Sequence, residues 1–203
     1  MNVILLGKGS LAIKVADWFN QNANLLCVVP DMPEPSWTDS ITEWCKDNSV
    51  NYIESGDYND IPDVDIDLAM SVFYGKIIKQ DFIDNCKNII NLHNSPLPKY
   101  RGVRPINWAL KNGERSHGVT IHKIDSGVDT GEIIGQITYP IYPVIEEVED
   151  VYKKALDYGW MLFKDVAKNL THAINHATPQ GEDFSYYPSK MNHLLGDRAD
   201  FRR

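Results

Sequence analysis

Asn91 and His93 close the apolar run "NIINLH", and Asp129 sits in the glycine-flanked stretch "KIDSGVDTGE". An amide, an imidazole and a carboxylate together suit acyl transfer through a tetrahedral intermediate. Asn91 supplies a neutral donor to an oxyanion, as an oxyanion hole requires. His93 can donate a proton or relay one. A carboxylate beside it orients the imidazole and favours its cation. None of Cys27, Cys45 and Cys86 sits in a nucleophile motif, and no G-x-S-x-G serine occurs. The pattern therefore fits an acceptor that brings its own amine.

These residues need a frame that holds them at strand ends. Apolar runs at Val3–Leu6, Leu25–Val29, Val50–Ile53, Leu68–Val72 and Asn88–Leu92 alternate with helix-like stretches such as Leu11–Phe19 and Trp37–Asn48. Such alternation predicts βαβ units and a Rossmann-like, mainly parallel sheet flanked by helices. Asn91 and His93 then share one side of a strand end, where open α/β sheets bind ligands. Further on, a short helix over Ile106–Lys111 precedes Val119–Ile124, which alternates as a half-buried strand should, and Ile133–Ile141. Glu146–Asn175 predicts one long amphipathic helix. Its Trp160, Phe163 and Leu170 exceed what a thin layer needs and mark a candidate homodimer face. Residues 1–177 read as one catalytic domain, and 178–203 as a tail in which "FSYYPS" is a candidate edge strand.

Composition narrows the function classes. The chain has 203 residues, 43% hydrophobic and 24% charged, with a formal net charge of -8. That is a globular profile without the basic face of a nucleic-acid binder. No apolar run approaches the roughly 18–20 residues of a membrane span. No signal peptide is read, and three widely spaced cysteines suggest no disulfide framework, so a cytoplasmic protein is expected. His172 and His176 share a helix face at i, i+4 spacing, but no third ligand accompanies them, and no metal is expected.

The opening "VILLGKGSLA" offers a competing reading. Gly7, Gly9 and Ala12 fit G-x-G-x-x-G/A, the dinucleotide-binding fingerprint, and Asp31 follows near where its ribose acid would fall. An NAD-dependent oxidoreductase is thus an alternative. Against it, Asp31 lies in the loop "PDMPEP", and the chain has no separate substrate domain. The same turn can also cradle a phosphate that is not a redox cofactor's.

The stretches "NLHNSPLPKYRG", "PINWALKNGE" and "GVTIHKIDSGVDTGEII" resemble the folate-dependent formyltransferases, whose shared pattern is N-x-H-x-S-x-L-P and a later D-x-G. Asn91, His93, Ser95, Leu97, Pro98 and Asp129 fall on it, and Pro96 departs from the more usual Leu. The resemblance spans Asn88–Gln136 strongly and the first half more weakly. It implies formyl transfer from N10-formyltetrahydrofolate to an amine, with Asn91 and His93 at the oxyanion and Asp129 aligning His93. It also implies a pterin cleft formed largely by backbone, at Phe73, Tyr74, Gly75 and Ile77 and at Asp125–Val128. Ser95 is expected to orient the loop.

Within the family, "FYGKII" and "YRGVRPINWAL" are most similar to the enzymes that formylate nucleotide-linked amino sugars for lipopolysaccharide and O-antigen. Methionyl-tRNA formyltransferases carry an additional C-terminal domain and a basic tRNA path. Glycinamide ribonucleotide formyltransferases and peptide-synthetase formylation domains remain alternatives. A sugar nucleotide brings a pyrophosphate, for which Lys8, Ser10, Lys76, Arg101 and Arg104 are candidate partners, with Gly9 at the cradle. Trp108, Tyr186 and Tyr187 are candidates to stack on a sugar or base. The plainer reading makes these charges solvated and Trp108 core.

Overall fold

The computed structural model describes residues 1–196. The closing "DRADFRR" of the expected tail lies outside them. The chain forms two compact units, one over Met1–Leu92 and one from His93 onward.

The first unit is the expected α/β frame. Strands β1 (Asn2–Gly7), β2 (Asn24–Pro30), β3 (Leu68–Val72) and β4 (Ile89–His93), whose last residue opens the second unit, stand in the order β2-β1-β3-β4, and all three pairings are parallel. Val3, Ile4, Leu5 and Leu6 are all fully buried. A continuous apolar run is what a parallel strand covered on both faces requires. Helix α1 (Gly9–Asn22) buries Leu11, Ala12, Val15, Ala16 and Phe19 on one stripe. Because β2 and β3 flank β1 on opposite sides, chain direction across the sheet reverses at β1. The register places Gly7 beside both Pro30 and Val72, so the opening glycine turn sits at the topological switch, where such sheets bind ligands.

Two expectations for this unit need correction. The helix expected over Trp37–Asn48 begins only at Ile41, as α2 (Ile41–Asp47). Ser40 caps it by accepting from the Glu43 amide, and Glu34 reaches in to accept from the Ile41 amide at 2.7 Å. Those partners satisfy first-turn donors and fix the start there. The strand expected at Val50–Ile53 is reduced to an isolated bridge between Val28 and Tyr52. A short helix α3 (Gln80–Asp84) precedes β4.

The second unit contains β5 (Arg101–Gly102), α4 (Pro105–Lys111), β6 (Ser116–Lys123), β7 (Ile133–Pro140), α5 (Val148–Ala167), α6 (Leu170–Asn175) and β8 (Tyr186–Tyr187), then a 3-10 run over Ser189–Leu194. Strands β6 and β7 pair antiparallel, and α5 packs on both. β6 is not half-buried as its alternation suggested: His117 to His122 are all buried. The register slips between Ile121 and His122, where Ile134 is the extra residue on β7. A bulge of this kind bends the ladder and re-aims the side chains beside it.

The single helix expected over Glu146–Asn175 is two. Lys168 and Asn169 tighten to i→i−3 hydrogen bonds, and Asn169 leaves the helical region at φ −149, ψ 62. Leu170 and Ile174 continue the buried stripe of Leu162 and Val166 across the break, so the periodicity could not reveal it. Phe163 and Leu170, read as part of a dimer face, are buried within this unit. The edge strand expected in "FSYYPS" is present as β8, which pairs in parallel with β5.

A Cβ added at Gly7 would lie 2.4 Å from the Val72 carbonyl oxygen. Gly7→Ala is therefore expected to lower the unfolding free energy by about 1–3 kcal/mol, measured by urea denaturation.

Candidate functional site

His93 is the last residue of β4 and is 8% exposed. Its Nε2 lies 3.0 Å from the Tyr100 carbonyl oxygen. A carbonyl can only accept, so Nε2–H donates. Its Nδ1 lies 3.6 Å from Asp129 Oδ1, where a proton on that nitrogen is attracted. The structure thus brings together the imidazole and carboxylate paired from sequence. Asn91 stands two residues earlier on β4, on the same pleat face as His93.

Asp129 has a second imidazole beside it. His122 Nε2 is also 3.6 Å from Asp129 Oδ1, while Nδ1 of His122 donates to the Lys123 carbonyl at 2.7 Å. The two rings meet edge-on with centroids 6.2 Å apart. Asp129 Oδ2 accepts from the Gly102 amide at 2.8 Å. Burial alone would push this carboxyl up. The charges of His93 and His122, the His122 hydrogen bond and the Gly102 amide outweigh burial and hold it well below the usual carboxylate range. His122 was missed in the sequence. Its signal was a polar side chain inside a strand whose neighbours are all buried, at the residue where the register slips.

The loop after His93 is built to stay still. Ser95 is fully buried and its hydroxyl donates to the Lys99 carbonyl at 2.8 Å, the orienting role expected of it. Thr120 donates to the Ser95 carbonyl and accepts from the Leu97 amide. Gln136 donates to the Leu97 carbonyl. His117 Nε2 donates to the Asn94 carbonyl, and its Nδ1 is buried with no partner among the described residues.

The other candidates divide by unit. In the first, Lys8 pairs with the Asp31 carboxylate, so the acid of the dinucleotide reading already faces a lysine. Gly9 has φ 75, and a Cβ there would lie 2.7 Å from Thr38 Oγ1. Ser10 follows in the first turn of α1. Tyr74 and Lys76 both donate to the Gly56 carbonyl, at 2.8 and 2.6 Å. Tyr58 donates to the Ile77 carbonyl and accepts from the Lys79 amide. The loop Phe73–Lys79 is thereby fastened, with Phe73 at φ 57 and the Ile77 side chain 77% exposed. A Cβ on Gly75 would lie 2.9 Å from Asp31 Oδ2.

In the second unit, the Asp125 carboxylate accepts from the Gly127 amide and the Thr130 hydroxyl, fixing the turn that exposes Val128. Arg101 donates to Gln180 and lies over the Phe184 ring, so its guanidinium is engaged within the chain rather than held out for a phosphate. Arg104 is exposed at the start of α4, with φ 54. Trp108 is 3% exposed and stacks on Tyr187 at 4.4 Å between centroids. Tyr187 stacks in turn on Tyr100. Both rings serve packing, the plainer of the two readings, while Tyr186 is exposed. Among the described residues no group of three or more His, Cys, Asp or Glu could hold a metal, and no helix is long and apolar enough to cross a membrane.

Burial moves the His117 imidazole down to about 4, against the Asn94 hydrogen bond that favours its cation and with help from the His93 charge. The unfolded chain therefore takes up this proton first as pH falls below about 6.5, and stability is lost between there and about 4. Urea unfolding across this window should show that loss, and His117→Gln should flatten it.

A family model described as formyl transferase matches residues 52–166. The methionyl-tRNA formyltransferase of Fervidobacterium nodosum is 37% identical over 128 residues, covering 62% of this chain and 39% of that protein. The chain spans about two fifths of the length of the curated relatives it matches. Among solved structures, WlaRD, a sugar 3N-formyl transferase in the presence of dTDP and 5-N-formyl-THF, is 29% identical with a TM-score of 0.82, covering 97% of this chain and 73% of that one. The N-formyltransferase of Helicobacter canadensis, in complex with folinic acid and dTDP-3-aminofucose, is 26% identical with a TM-score of 0.79, covering 93% and 71%.

Proposed function

From the premise that the chain belongs to the formyl transferase family, we propose that it transfers a formyl group from N10-formyltetrahydrofolate to the amino group of a nucleotide-linked amino sugar. The bound folate supplies an activated formyl carbon. Asn91 offers a neutral side-chain donor to the oxyanion that develops as the amine adds. His93 sets its Nδ1 3.6 Å from Asp129 Oδ1, and that pair serves the proton transfers. The Phe73–Ile77 loop and the Asp125–Val128 turn are each proposed as a folate contact. Phe73–Ile77 presents main chain and an exposed Ile77, and Asp125–Val128 presents main chain and an exposed Val128. A flat ring with polar edges suits that combination of backbone groups and apolar side chains. The start of α1, with Lys8, Gly9 and Ser10, is the proposed seat for an acceptor phosphate.

The observation that carries the sugar acceptor is the likeness to a sugar formyltransferase across 97% of the chain. The net charge of -8 also argues against a tRNA path. A second reading, methionyl-tRNA as acceptor, is favoured by the curated relatives, which match over 62% of the chain. Formylated sugars of this kind would serve lipopolysaccharide or O-antigen assembly.

The test is a transfer assay with N10-formyltetrahydrofolate and a panel of dTDP-, UDP- and GDP-linked amino sugars, glycinamide ribonucleotide and methionyl-tRNA. A nucleotide sugar is expected to be formylated. Formylation of methionyl-tRNA or glycinamide ribonucleotide alone overturns the reading. With the accepted sugar, Asn91→Ala should lower kcat by about 100- to 1,000-fold.

A further inference from the structure

Gln180 lies in the segment that follows α6, where the sequence shows little periodicity. Its side chain is nonetheless fully engaged. Nε2 donates to the Asp129 carbonyl at 2.9 Å and to the Gly131 carbonyl at 2.7 Å. Oε1 accepts from Arg101 Nε at 3.1 Å and from Arg101 Nη2 at 2.7 Å. An amide has two N–H donors and two acceptor lone pairs, and all four are used. Its orientation follows from the partners, because carbonyls only accept and a guanidinium only donates.

Asp129 has reason to need this anchor. Its backbone is left-handed, with φ 54, a conformation that persists in a non-glycine residue when surrounding contacts impose it. The contacts form a closed circuit. Gln180 holds the Asp129 carbonyl and the Arg101 side chain, and Gly102, next to Arg101, donates its amide to the Asp129 carboxylate. We infer that Gln180 is a positioning residue, which ties the Asp129–Gly131 main chain to Arg101 and so keeps the Asp129 carboxylate against His93 and His122.

The backbone around Gln180 is held independently of its side chain. Thr178 and Ile133 exchange two main-chain hydrogen bonds at 2.8 and 2.9 Å, and Tyr186–Tyr187 pairs with Arg101–Gly102. A side-chain substitution at 180 therefore leaves the segment docked. Its kinetic consequence rests on the formyl-transfer reading, whereas the placement of Asp129 does not.

Two variants of the full chain separate the contributions. Gln180→Met keeps the length and loses every hydrogen bond. Gln180→Glu keeps an acceptor for Arg101 and sets a carboxylate oxygen against the two carbonyls. Both should lower kcat by about 10- to 100-fold, with KM for the two substrates within about twofold. In Gln180→Met, the Asp129 side-chain carbon, followed by 13C NMR, should titrate at higher pH than in the wild type, with little change in thermal midpoint. Wild-type kcat and an unchanged Asp129 titration in Gln180→Met overturn the inference, as does wild-type kcat in Gln180→Glu. If the wild type transfers no formyl group, the functional reading has failed, and the Asp129 titration in Gln180→Met alone decides the role of Gln180.

Discussion

The Asp129 carboxylate is largely buried with two imidazoles beside its Oδ1, and a charge so placed has to be compensated. His93, His122 and the Gly102 amide supply that compensation, and each comes from a different part of the second unit. His93 ends a strand, His122 sits beside a bulge, and Gly102 lies in a two-residue strand held by β8. The carboxylate thus fixes where three chain segments must meet. In return it orients a histidine whose other nitrogen is already bound to the Tyr100 carbonyl. Both ring nitrogens of His93 thus face fixed partners, which sets the orientation of the ring.

The first unit depends on a different constraint, the closeness of backbone at one strand end. Gly7 lies against the Val72 carbonyl, and Gly9 against Thr38. These contacts leave no room for side chains where β1 runs into α1. A glycine turn of this form is shared by redox and non-redox binding sites, so its geometry alone does not name a ligand. Here Asp31 is paired with Lys8, and the family match is to formyl transferases. The oxidoreductase reading does not survive that match, and a phosphate seat at the turn belongs to the proposed function.

Much of the frame was legible because parallel strands buried on both faces read as apolar runs, unbroken at Val3–Leu6 and interrupted by Ser71 alone at Leu68–Val72. Asn91, His93 and Asp129 were legible because polar groups at a strand end and between glycines are out of place unless used. His122 was hidden by the alternation of β6, which suggested one wet face where the structure has none. The break at Asn169 was hidden because the buried stripe runs through it. Gln180 was invisible for a more general reason. Its partners are main-chain carbonyls and an arginine 79 residues away, and local pattern carries no trace of such contacts. The same contact reassigns Arg101 from a phosphate partner to part of the scaffold.

The central claim is that His93 and Asp129 act as one unit in formyl transfer. A double-mutant cycle on kcat, with His93→Ala, Asp129→Asn and the double variant, tests this directly. If the two work together, the double variant should be scarcely slower than the slower single variant. Losses that multiply as independent factors would contradict the account.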